Sequence, residues 1–180
     1  MRKIIVSEFM SLDGVMENPA WTFPFASPEQ DAFKFKELQE AGALLLGRVT
    51  YEGFAQAWPN MLAETGEYGQ WMNDYPKHVV STTLENPEWN NSSVIQGDLA
   101  EEIAKLKDQP GRDLLVFGSA TLVQSLLKLN LVDEYRLMTY PVVVGTGKRL
   151  FEEGLPNTSL KLAGSETFSS GTIVLTYVPA

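Results

Sequence analysis

Cysteine is absent from the 180-residue chain, and histidine occurs once, as His78. Without thiols, the protein can have neither a disulfide framework nor a thiolate nucleophile. One imidazole is too few for the usual histidine and cysteine ligand sets of zinc, so we expect no metal site. The same shortage argues against Ser-His-Asp or Cys-His catalysis, and we expect His78, in a predicted strand, to be structural. These absences favour chemistry that a bound cofactor supplies.

Basic residues are also in the minority, because 14 lysines and arginines stand against 23 acids, for a formal net charge of −9. Nucleic-acid binding needs a clustered basic face, so we expect no nucleic-acid partner. No apolar run approaches the ~20 residues of a membrane span. The start of the chain, Met1-Arg2-Lys3, is not followed by the apolar region of a signal peptide. We therefore expect a cytoplasmic protein without a membrane partner.

Strand and helix patterns alternate along the chain. Apolar runs typical of strands cover residues 3–10, 43–46, 77–81, 93–95, 113–117, 134–144, 160–168 and 172–177, and amphipathic stretches typical of helices cover 28–41, 51–58, 99–107 and 121–129. A long loop is predicted at 11–27, and residues 60–76 carry no clear pattern. The order predicts a three-layer α/β fold with a mostly parallel central sheet of about eight strands and a C-terminal antiparallel hairpin. The length fits one domain over residues 1–180.

The pentapeptide Gly47-Arg48-Val49-Thr50-Tyr51 lies between a predicted buried strand and a predicted helix. Backbone N–H groups at a helix start, together with the helix dipole, favour an anion. The guanidinium of Arg48 matches a phosphate, and the Thr50 hydroxyl can bond a phosphate or cap the helix. Two interpretations are open: a seat for a phosphorylated cofactor, or an ordinary helix cap beside an exposed arginine.

A second junction of this kind occurs at Gly118-Ser119, after the strand at 113–117 and before the helix at 121–129. Gly118 would let the backbone approach a ligand, and the following N–H groups could hold a pyrophosphate. The usual G-x-G-x-x-G pattern is absent, and a lone glycine after a strand is often just a turn. Two such junctions in one α/β chain favour dinucleotide binding.

Asp31 is an acid within an otherwise apolar stripe. At helical spacing it shares one face with Phe35, Leu38 and Gly42. A carboxylate in an apolar pocket could bind a heterocycle and help to deliver a proton. The alternative is an acid that the helix dipole favours near the first turn.

The loop after the first strand carries Gly14 and several large apolar side chains, among them Met16, Trp21 and Phe23. Aromatic loops can close over flat ligands. The alternative is a small hydrophobic cluster separate from the main core.

These segments resemble two branches of one superfamily. The N-terminal half resembles dihydrofolate reductase in Ile4–Val6, Leu12-Asp13-Gly14, Met16-Glu17-Asn18, Trp21, Pro24, Asp31 with Phe35-Lys36, and Gly47-Arg48-x-Thr50-Tyr51-Glu52. The C-terminal half is similar to the reductase domain of the riboflavin-biosynthesis deaminase–reductase in 116–122, 131–134 and 141–147. Ser119 stands where dihydrofolate reductase has the second of two paired glycines, and no zinc-deaminase motif occurs.

The resemblance implies NADPH as the cofactor, and it implies which residues bind it. Those residues are Gly14 on the lid beside the nicotinamide, Gly47, Arg48 and Thr50 at a phosphate turn, Ser81 and Thr82 on the adenosine side, and Gly118, Ser119, Ala120 and Thr121 at the pyrophosphate. Asp31 matches the acid that contacts the pterin in dihydrofolate reductase, so it is the candidate catalytic residue. We assign Ser7, Trp21 and Phe35 to the substrate pocket.

We therefore expect an NADPH-dependent reductase that transfers hydride to a C=N or C=O carbon of a small heterocycle. Because of its C-terminal half, a riboflavin-pathway type acting on a 5-amino-6-(5-phosphoribosylamino)uracil-like substrate ranks above a dihydrofolate or pteridine reductase. A non-catalytic NADPH- or nucleotide-binding protein is the alternative of another class. The alternating strands at 160–168 and 172–177 offer an apolar edge, so we also expect a homodimer.

Overall fold

A computed structural model describes all residues from 1 to 180 and contains one eight-stranded sheet. The strands are β1 (Ile4–Met10), β2 (Ala43–Gly47), β3 (Lys77–Val80), β4 (Ser92–Ile95), β5 (Leu114–Val116), β6 (Glu134–Thr139), β7 (Leu160–Thr167) and β8 (Ile173–Pro179). Their order is β4-β3-β2-β5-β1-β6-β8-β7. The first six strands are mutually parallel, and β8 runs antiparallel to both β6 and β7. The predicted α/β fold with its closing hairpin is confirmed.

Helices cover the sheet on its two faces. They are α1 (Pro28–Glu40), α2 (Arg48–Ala57), α3 (Leu62–Asp74), α4 (Leu99–Asp108) and α5 (Ala120–Lys128). Helix α1 begins as its sequence predicts, because the Ser27 hydroxyl accepts a hydrogen bond from the Gln30 amide at 3.2 Å. None of these helices combines the length and hydropathy that a bilayer crossing requires.

Two apolar layers enclose the central strands. One layer packs α4 and α5 on alternate residues of the sheet, such as Val6, Leu45 and Val116, and the other packs α1, α2 and α3 on the intervening ones, such as Leu44 and Leu46. Each fully buried aliphatic side chain contributes ~1.5–3 kcal/mol. Because both faces are covered, the central strands are continuous apolar runs.

The structure assigns the segment that carried no clear pattern and shortens one predicted strand. The unassigned segment 60–76 is largely helix α3, and Gly66 within it departs from helical geometry at φ 56° and ψ −131°, which explains why no regular pattern shows in the sequence. The strand predicted over 134–144 ends at Thr139. Pro141 follows closely, and a proline has no N–H to continue a ladder.

Candidate active site

Two glycine turns touch at the carboxyl ends of β2 and β5. The Gly47 amide donates a hydrogen bond to the Gly118 carbonyl at 3.0 Å. Both positions require glycine: a Cβ on Gly47 would overlap the side chain of Ser119, and one on Gly118 would lie 2.7 Å from Thr50 Oγ1. Gly118 also has φ +125°, and its peptide bond to Ser119 is cis. The two turns therefore form one continuous backbone surface.

Helices α2 and α5 begin at this surface. No side chain caps the start of α2, and at α5 the Ser119 hydroxyl accepts only from the Leu122 amide, at 3.3 Å. A helix leaves its first backbone N–H groups without partners inside the helix, and its dipole is positive at this end. Two helix N-termini that meet at glycine turns suit the phosphates of a dinucleotide.

A cleft of about 1000 Å³ opens in front of the two turns. This volume lies at the upper end of the ~300–1000 Å³ typical of small-molecule sites. Its aromatic lining residues are Phe9, Phe35, Phe54, Trp58, Tyr68 and Phe117. Aromatic walls of this kind suit flat rings, because they offer large apolar faces for stacking.

Seven of the candidate residues line this cleft. They are Ser7, Asp31, Phe35, Thr50, Ser119, Ala120 and Thr121. Gly47 and Gly118 lie directly behind them in the two turns. Gly14, Trp21, Arg48, Ser81 and Thr82 do not line it.

Arg48 lies at the surface near the start of α2. Its side chain is 43% exposed, and its Nη1 pairs with Glu52 Oε2 at 2.9 Å one helical turn later. An ion pair this exposed contributes only ~0.3–0.5 kcal/mol. The guanidinium can therefore exchange Glu52 for a ligand phosphate at little cost.

Ser81 and Thr82 follow β3, the strand next to β2. The Ser81 hydroxyl accepts from the amides of Thr83 at 3.1 Å and Leu84 at 3.0 Å, so its oxygen is engaged in shaping this turn. The side chain of Thr82 is exposed. Strands β2 and β3 are parallel, with Gly47 opposite Val80, so this turn lies at the same carboxyl end of the sheet as Arg48.

The loop after β1 is pinned to the segment 142–150. Gly14, at φ +81°, accepts from the Leu150 amide at 3.0 Å through its carbonyl. The Asp13 carboxylate accepts from the amides of Val144 at 3.1 Å and Gly145 at 2.8 Å, and these bonds with that from Ser11 hold its pKa well below its usual range. The loop is thus held beside the cleft.

The assignment of Trp21 to the substrate pocket was wrong. Its indole packs against Tyr140, with ring centroids 5.7 Å apart. It belongs to a small apolar cluster around Met138, Tyr140, Phe168 and Val174, and does not line the cleft. For Trp21, the structure therefore supports the second interpretation of this loop, a hydrophobic cluster separate from the main core.

Asp31 does not lie in an apolar pocket, as the stripe on α1 predicted. Its side chain is exposed at the cleft mouth, without a hydrogen-bond partner from the protein. The buried residues of α1 are Leu38, which the predicted stripe included, and Glu37, which it did not. The stripe pattern placed the carboxylate of Asp31 inside, whereas the helix buries the carboxylate of Glu37, because that one is paired.

A buried charge network lies at the inner end of the cleft, and the sequence prediction missed it. Glu37 Oε1 accepts from Lys34 Nζ at 2.5 Å and from Ser7 Oγ at 2.8 Å. Glu37 Oε2 pairs with Arg136 Nη1 at 3.4 Å, and Arg136 Nε pairs with Glu134 Oε1 at 2.6 Å. The Glu37 side chain is only 1% exposed, so its charge depends on these partners.

Glu8 adds a further buried carboxyl beside this network. It is 5% exposed, it lines the cleft, and its Oε1 has no hydrogen-bond partner in the protein. Burial raises the pKa of Glu8 to about 8; the positive charge of Lys34 opposes this shift, and the negative charge of Glu37 adds to it. The one signal in the sequence was an acid within the apolar run of β1.

Comparisons with known proteins show the family of this chain. The family model described as the RibD C-terminal domain matches residues 2–174. An uncharacterised protein of Bacillus subtilis, YyaP, is 32% identical over 178 residues, which cover 98% of this chain and 94% of the relative.

Two solved structures share the fold. A protein of Shewanella sp. PV-4 with a provisional riboflavin-biosynthesis name matches with a TM-score of 0.76 at 23% identity, over 99% of each chain. Dihydrofolate reductase from Enterococcus faecalis, complexed with NADP(H), matches with a TM-score of 0.60 at 14% identity, over 98% of this chain and 96% of that one. With paired glycine turns beneath an aromatic cleft, and a family match over nearly its whole length, this chain belongs to the RibD C-terminal domain family, which is of reductase type and shares the dihydrofolate-reductase-like fold.

Proposed function

We propose that the protein is an NADPH-dependent reductase that acts on a small heterocycle. The observation that carries this proposal is the contact between Gly47 and Gly118 at the floor of an aromatic cleft. This contact brings two helix N-termini to one backbone surface that side chains would obstruct. Such a surface fits the pyrophosphate of a dinucleotide, and the cleft leaves room for a second flat molecule in front of it.

Each part of the site has a binding role in this proposal. The backbone N–H groups around Thr50, Ala120 and Thr121, with the Ser119 hydroxyl, would hold the pyrophosphate. Arg48 would bind the additional phosphate that distinguishes NADPH from NADH, while Ser81 and Thr82 would contact the adenosine side, and the loop with Gly14 would flank the nicotinamide. When bound, the reduced nicotinamide supplies the hydride.

The protein's contribution to the reaction would be orientation and exclusion of water. Phe35 on α1 and Phe117 just after β5 both line the cleft and offer apolar surface to a flat ring. Ser7 lies at the inner end, and Asp31 at the mouth can contact a polar edge of the substrate. No side-chain nucleophile is required, which agrees with the lack of cysteine.

Two substrate classes and one non-catalytic alternative are open to test. A riboflavin-pathway pyrimidine of the 5-amino-6-(5-phosphoribosylamino)uracil type comes first, because the RibD C-terminal family model covers the chain. A dihydrofolate or pteridine substrate comes second, because the fold is shared with dihydrofolate reductase. The alternative is a nucleotide-binding protein without turnover, which would keep the glycine turns and ignore every acceptor.

The deciding experiment combines melting and absorbance. NADPH should raise the melting temperature more than NADH at equal concentration, and NADPH absorbance should fall when a pyrimidine or pteridine acceptor is added. Thermal protection without oxidation by either acceptor class would support the binding protein. No protection by either nucleotide would refute the proposal.

We also propose that two copies associate through β7. This eight-residue strand ends the sheet, and only β8 pairs with it. Its residues are almost all exposed, including Leu162 at 52%. An unpaired edge with an exposed apolar side chain favours pairing with a second copy about a twofold axis.

A further inference from the structure

We propose that Glu8 is the proton donor of this site and that its partner in the substrate is a hydrogen-bond-accepting heteroatom, the nitrogen of a C=N bond or the oxygen of a C=O bond. This inference rests on the proposed reductase function and assigns to Glu8 the role that the sequence suggested for Asp31. Glu8 lines the cleft, is 5% exposed and has an oxygen with no partner in the protein. Asp31, in contrast, is exposed to solvent at the mouth of the cleft.

The charges around Glu8 favour its neutral form. The charges of Lys34 and Glu37 on α1 act on it from nearby, and Arg136 on the adjacent strand β6 pairs with both Glu37 and Glu134. Two cations and two carboxylates already balance, so an ionised Glu8 would leave one uncompensated negative charge in the interior. The other titratable residues that line the cleft are Asp31 on α1, Tyr68 on α3, Glu17 on the loop after β1 and Lys148 on the segment 142–150. Glu8 is therefore the acid of this network that holds a proton near neutral pH.

Lys34 gives the inner end a second donor. Its ammonium group bonds Ser7 Oγ at 3.2 Å and Glu37 Oε1 at 2.5 Å, and it lies 4.2 Å from the centroid of the Phe117 ring. An ammonium group has three N–H donors, so one is left for a ligand in the cleft. A protonated carboxyl and an ammonium together present donors, and a substrate that offers acceptors at this end is complementary to them.

The reaction balances as follows. The carbon of the C=N or C=O bond receives the hydride from the reduced nicotinamide, and a C–H bond forms. The π electrons move to the heteroatom, which takes the proton from Glu8 to give N–H or O–H. Glu8 is left as a carboxylate beside Lys34, and it regains a proton from solvent through the cleft when the product leaves.

Glu8→Gln tests the assignment, because it keeps the shape and removes the acidic proton. We expect kcat to fall by about 10²-fold or more with KM little changed. Wild-type turnover should decrease above pH 8, whereas the residual turnover of the variant should show no such decrease. Glu8→Asp should restore part of the turnover rate and, with it, the decrease of turnover at alkaline pH. Asp31→Asn should still show the decrease of turnover at alkaline pH. Glu40→Gln, on the exposed side of α1, should behave as wild type.

A readout independent of turnover is the infrared carbonyl band of a protonated carboxyl. Wild type minus Glu8→Gln should show this band at pH 7, and it should vanish as the pH rises past 8. Its absence at pH 7, or unchanged kcat in Glu8→Gln, would overturn the inference while wild-type NADPH oxidation still upheld the proposed function. If the wild type failed to oxidise NADPH with every acceptor tested, both the proposed function and the donor role of Glu8 would be refuted, whatever the infrared band showed.

Discussion

The amide of Gly47 donates a 3.0 Å hydrogen bond to the carbonyl of Gly118, although 71 positions separate the two residues. Neither residue has space for a side chain, since a Cβ at either one meets the other turn. The same contact that joins strands β2 and β5 thus produces the backbone surface proposed for the pyrophosphate. If the proposed cofactor binds here, stability and cofactor binding are coupled at this point.

Gly118→Ala should impair both properties. Its φ of +125° is strained for alanine, and the methyl group would lie 2.7 Å from Thr50 Oγ1. We expect a loss of about 1–3 kcal/mol in the free energy of unfolding and no increase in melting temperature with NADPH. Gly164→Ala in β7, where a Cβ meets nothing within 4 Å, is the matched control. Normal NADPH protection in Gly118→Ala would argue against the pyrophosphate site.

Arg48→Ala should weaken NADPH far more than NADH. The guanidinium is the charged group at the start of α2, and losing a charged phosphate bond costs ~1.5–3 kcal/mol, or about tenfold to hundredfold in the NADPH dissociation constant. Glu52→Gln is the reciprocal variant, because it releases Arg48 from its 2.9 Å ion pair and removes a negative charge. It should tighten NADPH and leave NADH nearly unchanged. Isothermal titration of both nucleotides with both variants measures this, and an equal loss for both nucleotides in Arg48→Ala would refute the role.

Glu8→Gln should make the protein more stable at alkaline pH. The pKa of Glu8 is about 8 in the folded protein against 4.5 for the free side chain. The folded state thus binds more protons than the unfolded state between these values, and wild-type stability falls as the pH rises through this window. The variant lacks this pH-dependent loss of stability, so its advantage should be about 4 kcal/mol at pH 8 and vanish near pH 4. Urea unfolding across this range measures it, and parallel pH curves for the two proteins would mean that Glu8 ionises normally.

The two glycine junctions could be predicted because each is local: an apolar strand, a glycine and a helix start within ten residues. The buried acids could not be predicted in this way. Glu37 is inside only because Lys34, Ser7 and Arg136 meet it, and Arg136 is 99 positions away. An apolar stripe alone points to Asp31, since a single-helix pattern cannot show which charges have partners in other elements. The same limit applies to Trp21, whose partner Tyr140 lies in the second half of the chain.

Lys77→Met should destabilise the fold without affecting the cleft directly. Lys77 is fully buried at the start of β3, and its ammonium donates to the carbonyls of Asn73 at 2.6 Å, Tyr75 at 2.9 Å and Asn90 at 2.8 Å. Methionine fills a similar volume but leaves the carbonyls of Tyr75 and Asn90 without this donor, whereas the Asn73 carbonyl keeps a hydrogen bond from Asn90 Nδ2 at 3.3 Å. We therefore expect a loss of about 2 kcal/mol in the free energy of unfolding. Lys105→Met is the control, because Lys105 is 64% exposed in a surface pair. Equal urea midpoints for the two variants would show that the Lys77 ammonium has no structural role.

Leu162→Lys should convert a dimer into a monomer if two copies pair through β7. The side chain is 52% exposed at the free edge of the sheet, and a twofold axis would bring two copies of this position together. Lysine there adds mutual charge repulsion and blocks strand pairing, as it does on natural edge strands. The variant should keep the wild-type melting temperature at low concentration, where the monomer dominates. Light scattering after size exclusion distinguishes the two states. Glu153→Lys, an exposed charge change outside β7, should leave the mass that of a dimer. A wild-type mass of one chain would exclude the interface, and an unaltered dimer in Leu162→Lys would place it elsewhere on the surface.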